Sequence, residues 1–170
     1  MIETPQQYIL RILSNLEGRD PLKVQAATPA KLERLIQGKT AARLRKRPAP
    51  GKWSVGEILA HLADTELVCG WRMRQTLGAP GTLLQAYDQD SWAAACHYDR
   101  HEPAKSLETF RALREANLAL LKVLAPDQWK LYGIHAERGP ETIEHVVRMV
   151  AGHDLNHIKQ VELLIAPRKP

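Results

Sequence analysis

Residues 53–66 read WSVGEILAHLADTE, and the opening of this stretch specifies how a long helix begins. Ser54 stands where an N-cap belongs, Glu57 follows three residues later as its capping-box partner, and Trp53 and Ile58 flank them as a hydrophobic staple. Val55, Ile58, Leu59, Leu62, Cys69 and Met73 then recur at helical spacing. The stretch predicts a helix from Val55 to about Leu77, ended near Gly78 and Pro80.

Working outward, a first helix is expected from about Pro5 to Leu16, stopped by Gly18 and the Asp20-Pro21 pair. Thr28-Pro29 reads as the N-cap and first position of a second helix through Leu32, Leu35 and Ile36, ended by Gly38. Downstream, residues 79–102 read as a loop with a short helix around Ser91 to His97. Pro103 opens a helix reaching Leu124, and Gly139-Pro140-Glu141 opens a last helix to about Ile165. Strand signals are nearly absent, because no segment alternates apolar and polar residues for long. The expected fold is all-α: a four-helix bundle in one domain over residues 1–170, with a long crossover between the second and third bundle helices.

The bulk properties narrow the function classes. At 170 residues and 44% hydrophobic, the chain can bury a core without disulfide help. It contains no run of the ~18 apolar residues that a membrane span needs, and MIETPQQYIL has no basic leader, so a cytoplasmic protein without a membrane partner is expected. Cys69 and Cys96 lie far apart and outside any C-x-x-C pattern, which suggests two reduced, packed thiols. The net charge of +5 is visible in ARLRKRPAPGK, around Arg43, Arg45, Lys46, Arg47 and Lys52. That run carries no aromatics to stack bases, which argues against nucleic-acid binding. A homodimer is compatible with the sequence, although no surface patch specifies one.

Seven histidines remain to be placed. His97, His101 and His135 fall in or beside expected loops, and His145 is rotated away from the others on the last helix. His153 and His157, four residues apart, share one flank of that helix beside its stripe of Ile143, Val147, Val150, Val161 and Ile165. His61 lies at the edge of the stripe on the 55–77 helix. Three neutral imidazoles from two facing helices would cap one side of a divalent ion and leave positions open, as catalytic sites do. The H-x-x-x-H spacing alone is weak, and the glutamate of H-E-x-x-H is missing.

Asp154 falls near the centre of the last helix's stripe. Either it has a buried partner, a basic side chain or the ring N–H of a ligating histidine, or the helix is rotated enough for it to reach water. Asp154, Glu66, Asp88 and Tyr87 are the candidate general bases, against plainer readings of Glu66 and Asp88 as surface carboxylates and Tyr87 as a partly buried aromatic. Tyr87, Trp92 and Tyr98 in the crossover either wall a pocket or anchor packing. Arg114 and Asn117 interrupt the stripe of Leu107, Phe110, Leu113, Leu121 and Leu124, as cavity lining or through slight rotation toward solvent.

Taken together, GKWSVGEILAHLADTE and AGHDLNHIKQVE resemble the DinB-like superfamily of four-helix metalloproteins. The likeness lies in the order Trp53, Ser54, Glu57, His61, Leu62 and Glu66, followed by His153 and His157 on the last helix. It covers about residues 29–165 and leaves 1–28 as an N-terminal helical extension. The resemblance implies a bundle with the long second-to-third connection and one divalent metal, commonly zinc or nickel, on His61, His153 and His157. Iron and manganese also suit three histidines plus solvent. It further implies a metal-dependent enzyme that activates a low-molecular-weight thiol of the bacillithiol or mycothiol type for transfer to an electrophile. A metal-dependent hydrolase acting on a hydrolysable substrate, and a non-catalytic metal-binding stress protein, are the alternatives. The superfamily name refers to damage induction and implies no DNA binding.

Overall fold

Ser54 begins its helix as its motif specifies. Its hydroxyl accepts from Glu57 N at 3.2 Å while the Glu57 carboxylate accepts from Ser54 N at 2.8 Å, so two backbone donors at the helix start are satisfied reciprocally. In the computed structural model, which describes residues 3–166, this helix is α4, Val55–Gly78. Before it come α1 (Pro5–Ser14), α2 (Pro21–Ile36) and the short α3 (Ala41–Arg45). After it come α5 (Gln89–Ala95), α6 (Pro103–Lys122) and α7 (Ile143–Ile165).

Helix α2 departs from expectation at its start. Asp20-Pro21 opens the helix rather than stopping its predecessor: Asp20 Oδ1 accepts from Leu22 N at 2.9 Å and Lys23 N at 3.3 Å, with Pro21 at the first position. Pro29 consequently lies inside α2. Having no N–H, it cannot donate to the carbonyl four residues back, and that carbonyl, of Gln25, instead accepts from Arg114 Nη1 at 2.8 Å. A proline that reads as a helix start is a helix interior whose missing hydrogen bond is supplied by a buried arginine.

The bundle consists of α2, α4, α6 and α7. Helix α4 packs on α6 and α7, α2 packs on the same two, and α1 lies along α7. The long crossover, 79–102, connects α4 to α6 as expected and carries α5 and a 3-10 turn over Tyr98–Arg100. A small three-stranded sheet is added to the bundle: β1 (Leu83–Leu84) runs parallel to β2 (Tyr132–His135), which pairs antiparallel with β3 (Gly139–Thr142). The last helix therefore begins at Ile143, capped by Thr142 accepting from His145 N at 3.1 Å, and not at Gly139-Pro140. The sheet has no hydrophobic signature because its alternation is inverted: Tyr132 and Ile134 face outward while Gly133 and His135 face inward. Gly133 is needed there, since a Cβ would lie 2.6 Å from Leu84 Cδ1.

The bundle core is divided. One apolar layer contains Leu32, Ile58, Leu59, Leu62, Phe110 and Val161, and the other contains Met73, Leu121, Ile143, Val147 and Val150. On α4, α6 and α7 alike, the residues between these layers are polar and buried: Glu66, then Arg114 and Asn117, then His153, Asp154 and His157. Polar side chains at this depth need partners. Among the described residues no helix is long and apolar enough to cross a membrane.

Candidate metal centre

His61 is carried by α4, and His153 and His157 by successive turns of α7. The packing of those helices brings three Nε2 atoms together, with His61 and His157 each 3.0 Å from His153. All three side chains are buried. Burial pushes the His61 imidazole down to about 3, with a further push from His157, and pushes His157 down to about 4. His153 is held well below the usual histidine value by burial and by its two neighbours. The rings are therefore neutral at neutral pH, the form in which imidazole is a ligand.

The proton of one of these rings is placed by its neighbour. His157 Nδ1 lies 2.9 Å from Gln160 Oε1, an acceptor, which places the proton on Nδ1 and leaves Nε2 bare. The Nδ1 atoms of His61 and His153 are buried without a partner among the described residues. With the ring protons on Nδ1, three Nε2 lone pairs converge, a repulsive arrangement that a cation relieves. The donor set of three neutral nitrogens fits a divalent ion with positions left for another ligand.

Two spaces reach the triad. A cavity of about 590 Å³ opens on His61 and His153, with Thr65, Tyr87 and Asp88 on its wall and residues of α1 across from them. A second, of about 380 Å³, reaches His157 beside Gln160 and Trp53. Trp53 also packs over the His61 ring, with centroids 4.9 Å apart.

The expected partners of the triad are distributed differently. Asp154 faces the core and not water, and its partner is a basic side chain: Arg114 donates to its two oxygens at 2.7 and 3.0 Å. Burial pulls the Asp154 carboxyl up and Arg114 pulls it back, so its charge depends on that arginine. Glu66 is buried, not a surface carboxylate. It accepts from Arg114 Nη2 at 2.9 Å and from Asn117 Nδ2 at 3.0 Å. Arg114 and Asn117 are thus neither cavity lining nor rotated to solvent. Their network braces α4, α6 and α7 behind the histidines, and Gly70 makes room for it, since a Cβ there would lie 2.4 Å from Asn117 Oδ1.

Asp88 and Tyr87 do line the cavity. Asp88 is an exposed N-cap of α5, accepting from Ser91 N at 2.6 Å. The Tyr87 phenol is pushed up to about 12, chiefly by burial. Trp92 stacks against Tyr87 with centroids 4.6 Å apart and supports the wall without reaching the cavity. Tyr98 is a buried anchor whose hydroxyl donates to Asp64. His135, expected in a loop, lies on β2 with its side chain inward and is pushed down to about 4 by burial and the nearby Arg138 and Arg72. Cys69 is partly packed, whereas Cys96 is exposed.

Gln160, Arg72 and the Arg138–Glu141 ion pair, at 2.6 Å, are parts of the site region that the sequence reading did not single out. Gln160 was accessible by spacing, three residues beyond His157. The others depend on how the crossover and sheet close over α4, which no local pattern encodes.

A four-helix bundle with a buried histidine cluster able to hold a metal defines a class of protein, and the comparisons name its family. The chain belongs to the DinB superfamily, whose family model matches residues 26–161. It is 25% identical over 141 residues to "Putative metal-dependent hydrolase YfiT" of Bacillus subtilis, covering 82% of this chain and 79% of that one. It is 23% identical over 142 residues to "Putative metal-dependent hydrolase BH0277" of Halalkalibacterium halodurans, covering 83% and 82%. The solved structure of YfiT, described as "a probable metal-dependent hydrolase with an unusual four-helix bundle topology", superposes with a TM-score of 0.76 at 24% identity, covering 84% of each chain, and shares the fold. Family and relatives together support a metal-dependent function.

Proposed function

We propose that the chain is an enzyme in which His61, His153 and His157 hold one divalent ion, zinc or nickel foremost, and that it transfers a low-molecular-weight thiol to an electrophile. A divalent ion held by three neutral ligands keeps its full charge and acidifies a thiol or water placed beside it. The observation that carries the choice is the state of the surrounding carboxylates. Asp154 and Glu66 are bound to Arg114, Glu141 to Arg138, and Glu57 to Arg47. Among the described residues, no buried carboxylate at the triad is free to take a proton from water, and Tyr87 is too weak an acid to be a phenolate base at neutral pH. A thiol, being more acidic than water, needs no such base. Its proton leaves to solvent, its sulfur bonds the electrophilic centre, and the leaving group departs with the displaced electron pair.

Hydrolysis is the second reading, supported by the curated relatives, whose names describe metal-dependent hydrolases. Transfer of a panel of small thiols to aryl halide and epoxide electrophiles, run beside ester and amide hydrolysis on zinc- and nickel-loaded protein, separates the two. Turnover that requires thiol supports transfer, and turnover with water alone overturns it. A cobalt-loaded protein whose spectrum ignores both thiols and anions would overturn both in favour of a non-catalytic metal-binding role.

A further inference from the structure

Arg72 lies on α4 roughly three turns beyond His61 and within about 20° of the same face. It is 94% buried, at 6% exposure, and it lines the cavity of about 590 Å³ that opens on His61 and His153. A buried guanidinium ordinarily has a carboxylate. Arg72 forms no ion pair among the described residues. Among the described residues its side-chain hydrogen bond runs from Nη2 to the Gln85 carbonyl, and its Cζ sits 5.8 Å from the centre of the Tyr87 ring. Those contacts fix the side chain in place, while its remaining N–H groups have no acceptor among the described residues.

The carboxylates of the same cavity do not neutralise it. Glu141, the buried one, is held at two points by Arg138, at 2.6 and 3.0 Å. Glu3 is paired with Arg11, Asp88 caps α5, and Glu137 is exposed at the rim. The interior thus presents one immobilised, unneutralised guanidinium at one place and the histidine triad about 16 Å away along the helix axis, a separation that both side chains shorten by reaching into the shared space.

We propose that Arg72 is the specificity residue for an anionic end, carboxylate or phosphate, of an elongated small-molecule substrate whose reacting end lies at the triad. This rests on the triad being the reaction centre. A planar guanidinium binds carboxylate and phosphate oxygens at two points. The charge-assisted contact is made by a guanidinium that is itself buried, and it also sets which end of the molecule meets the histidines.

The test uses three thiols of equal chain length, 6-mercaptohexanoate, 6-mercaptohexyl phosphate and 6-mercaptohexanol, titrated calorimetrically into zinc-loaded and metal-free protein. Expected is a preference of roughly tenfold or more for the anionic thiols over the alcohol, abolished in Arg72→Gln and partly kept in Arg72→Lys. The two anionic arms tell which oxyanion the site takes. Because the readout is a ratio, a variant that merely loosens the cavity weakens all three ligands alike, and that result overturns the proposal. So does a wild-type protein without tail preference, whatever the variants' folding. A tail preference that persists without metal keeps the Arg72 assignment while separating it from the thiol reading, which fails on its own if zinc does not strengthen binding of the alcohol.

Discussion

Arg114 of α6 donates to both carboxylate oxygens of Asp154, at 2.7 and 3.0 Å, one residue along α7 from His153. The same guanidinium reaches Glu66 of α4 and the Gln25 carbonyl of α2, so one side chain ties all four bundle helices at the level of the triad. Removing one partner of a buried ion pair leaves an uncompensated charge, at a cost of about 3–5 kcal/mol. Asp154→Ala is expected to lower unfolding stability by that order in urea titration and to weaken metal binding, because α7 loses its anchor beside His153. Asp154→Asn, which still offers one acceptor, is expected to lose less.

Each of His61→Ala, His153→Ala and His157→Ala is expected to abolish stoichiometric divalent metal while retaining helical circular dichroism. Elemental analysis of the purified variants reads the first property. Undiminished metal in all three would sink the assignment. A saturating ion that binds only the folded state raises its stability by mass action, so added zinc is expected to raise the melting temperature of the wild type and to leave the three variants unmoved.

Legibility followed the range of the interactions. The α4 start is legible because a capping box is local, whereas spacing and stripe edges only suggest that the three histidines meet, and the family resemblance is what joins them into one set. For Asp154 the stripe leaves both a buried, partnered position and rotation to water open, because Arg114, which decides between them, lies 40 residues away in sequence. What misled was local chemistry overridden at long range. Pro29 looks like a helix start, yet the buried Arg114 supplies what the proline removes. Residues 132–142 form a sheet with apolar side chains outward, because pairing with the crossover decides it rather than hydrophobic alternation. Arg72 shows the same limit, as a basic residue on an amphipathic helix becomes a buried one only when Tyr87 and Gln85 close over it.

The Glu57 carboxyl is a pH-sensitive element of the α4 start. Burial by itself would raise it, but the Arg47 guanidinium and the Ser54 N–H outweigh burial and hold it below its usual value. A carboxyl lowered in the folded state stabilises fully above its unfolded pKa of about 4.3 and ceases to do so as pH falls through the lower folded value. Wild type is therefore expected to exceed Glu57→Gln in unfolding free energy at pH 7, with the gap closing below about pH 4. Denaturation curves of both proteins from pH 7 to 3 check this, and a gap independent of pH would show that the side chain's shape, not its charge, makes the cap.

Gly152 on α7 governs how closely α1 can approach, and through it one wall of the cavity. A Cβ at this position would lie 2.3 Å from the Ile12 carbonyl oxygen, a backbone atom that cannot swing aside. Helix α1 brings Thr4, Pro5 and Tyr8 to the cavity facing His61 and His153, so displacing it opens the site without touching a ligand. Gly152→Ala is expected to cost about 1–3 kcal/mol, as overpacking of a tight contact does. It is also expected to speed tryptic cleavage at the exposed Arg19 between α1 and α2 while leaving metal content near one ion per chain. Unaltered cleavage together with unaltered stability would mean that α7 itself shifts to admit the methyl group, and the cavity wall would then owe nothing to this glycine.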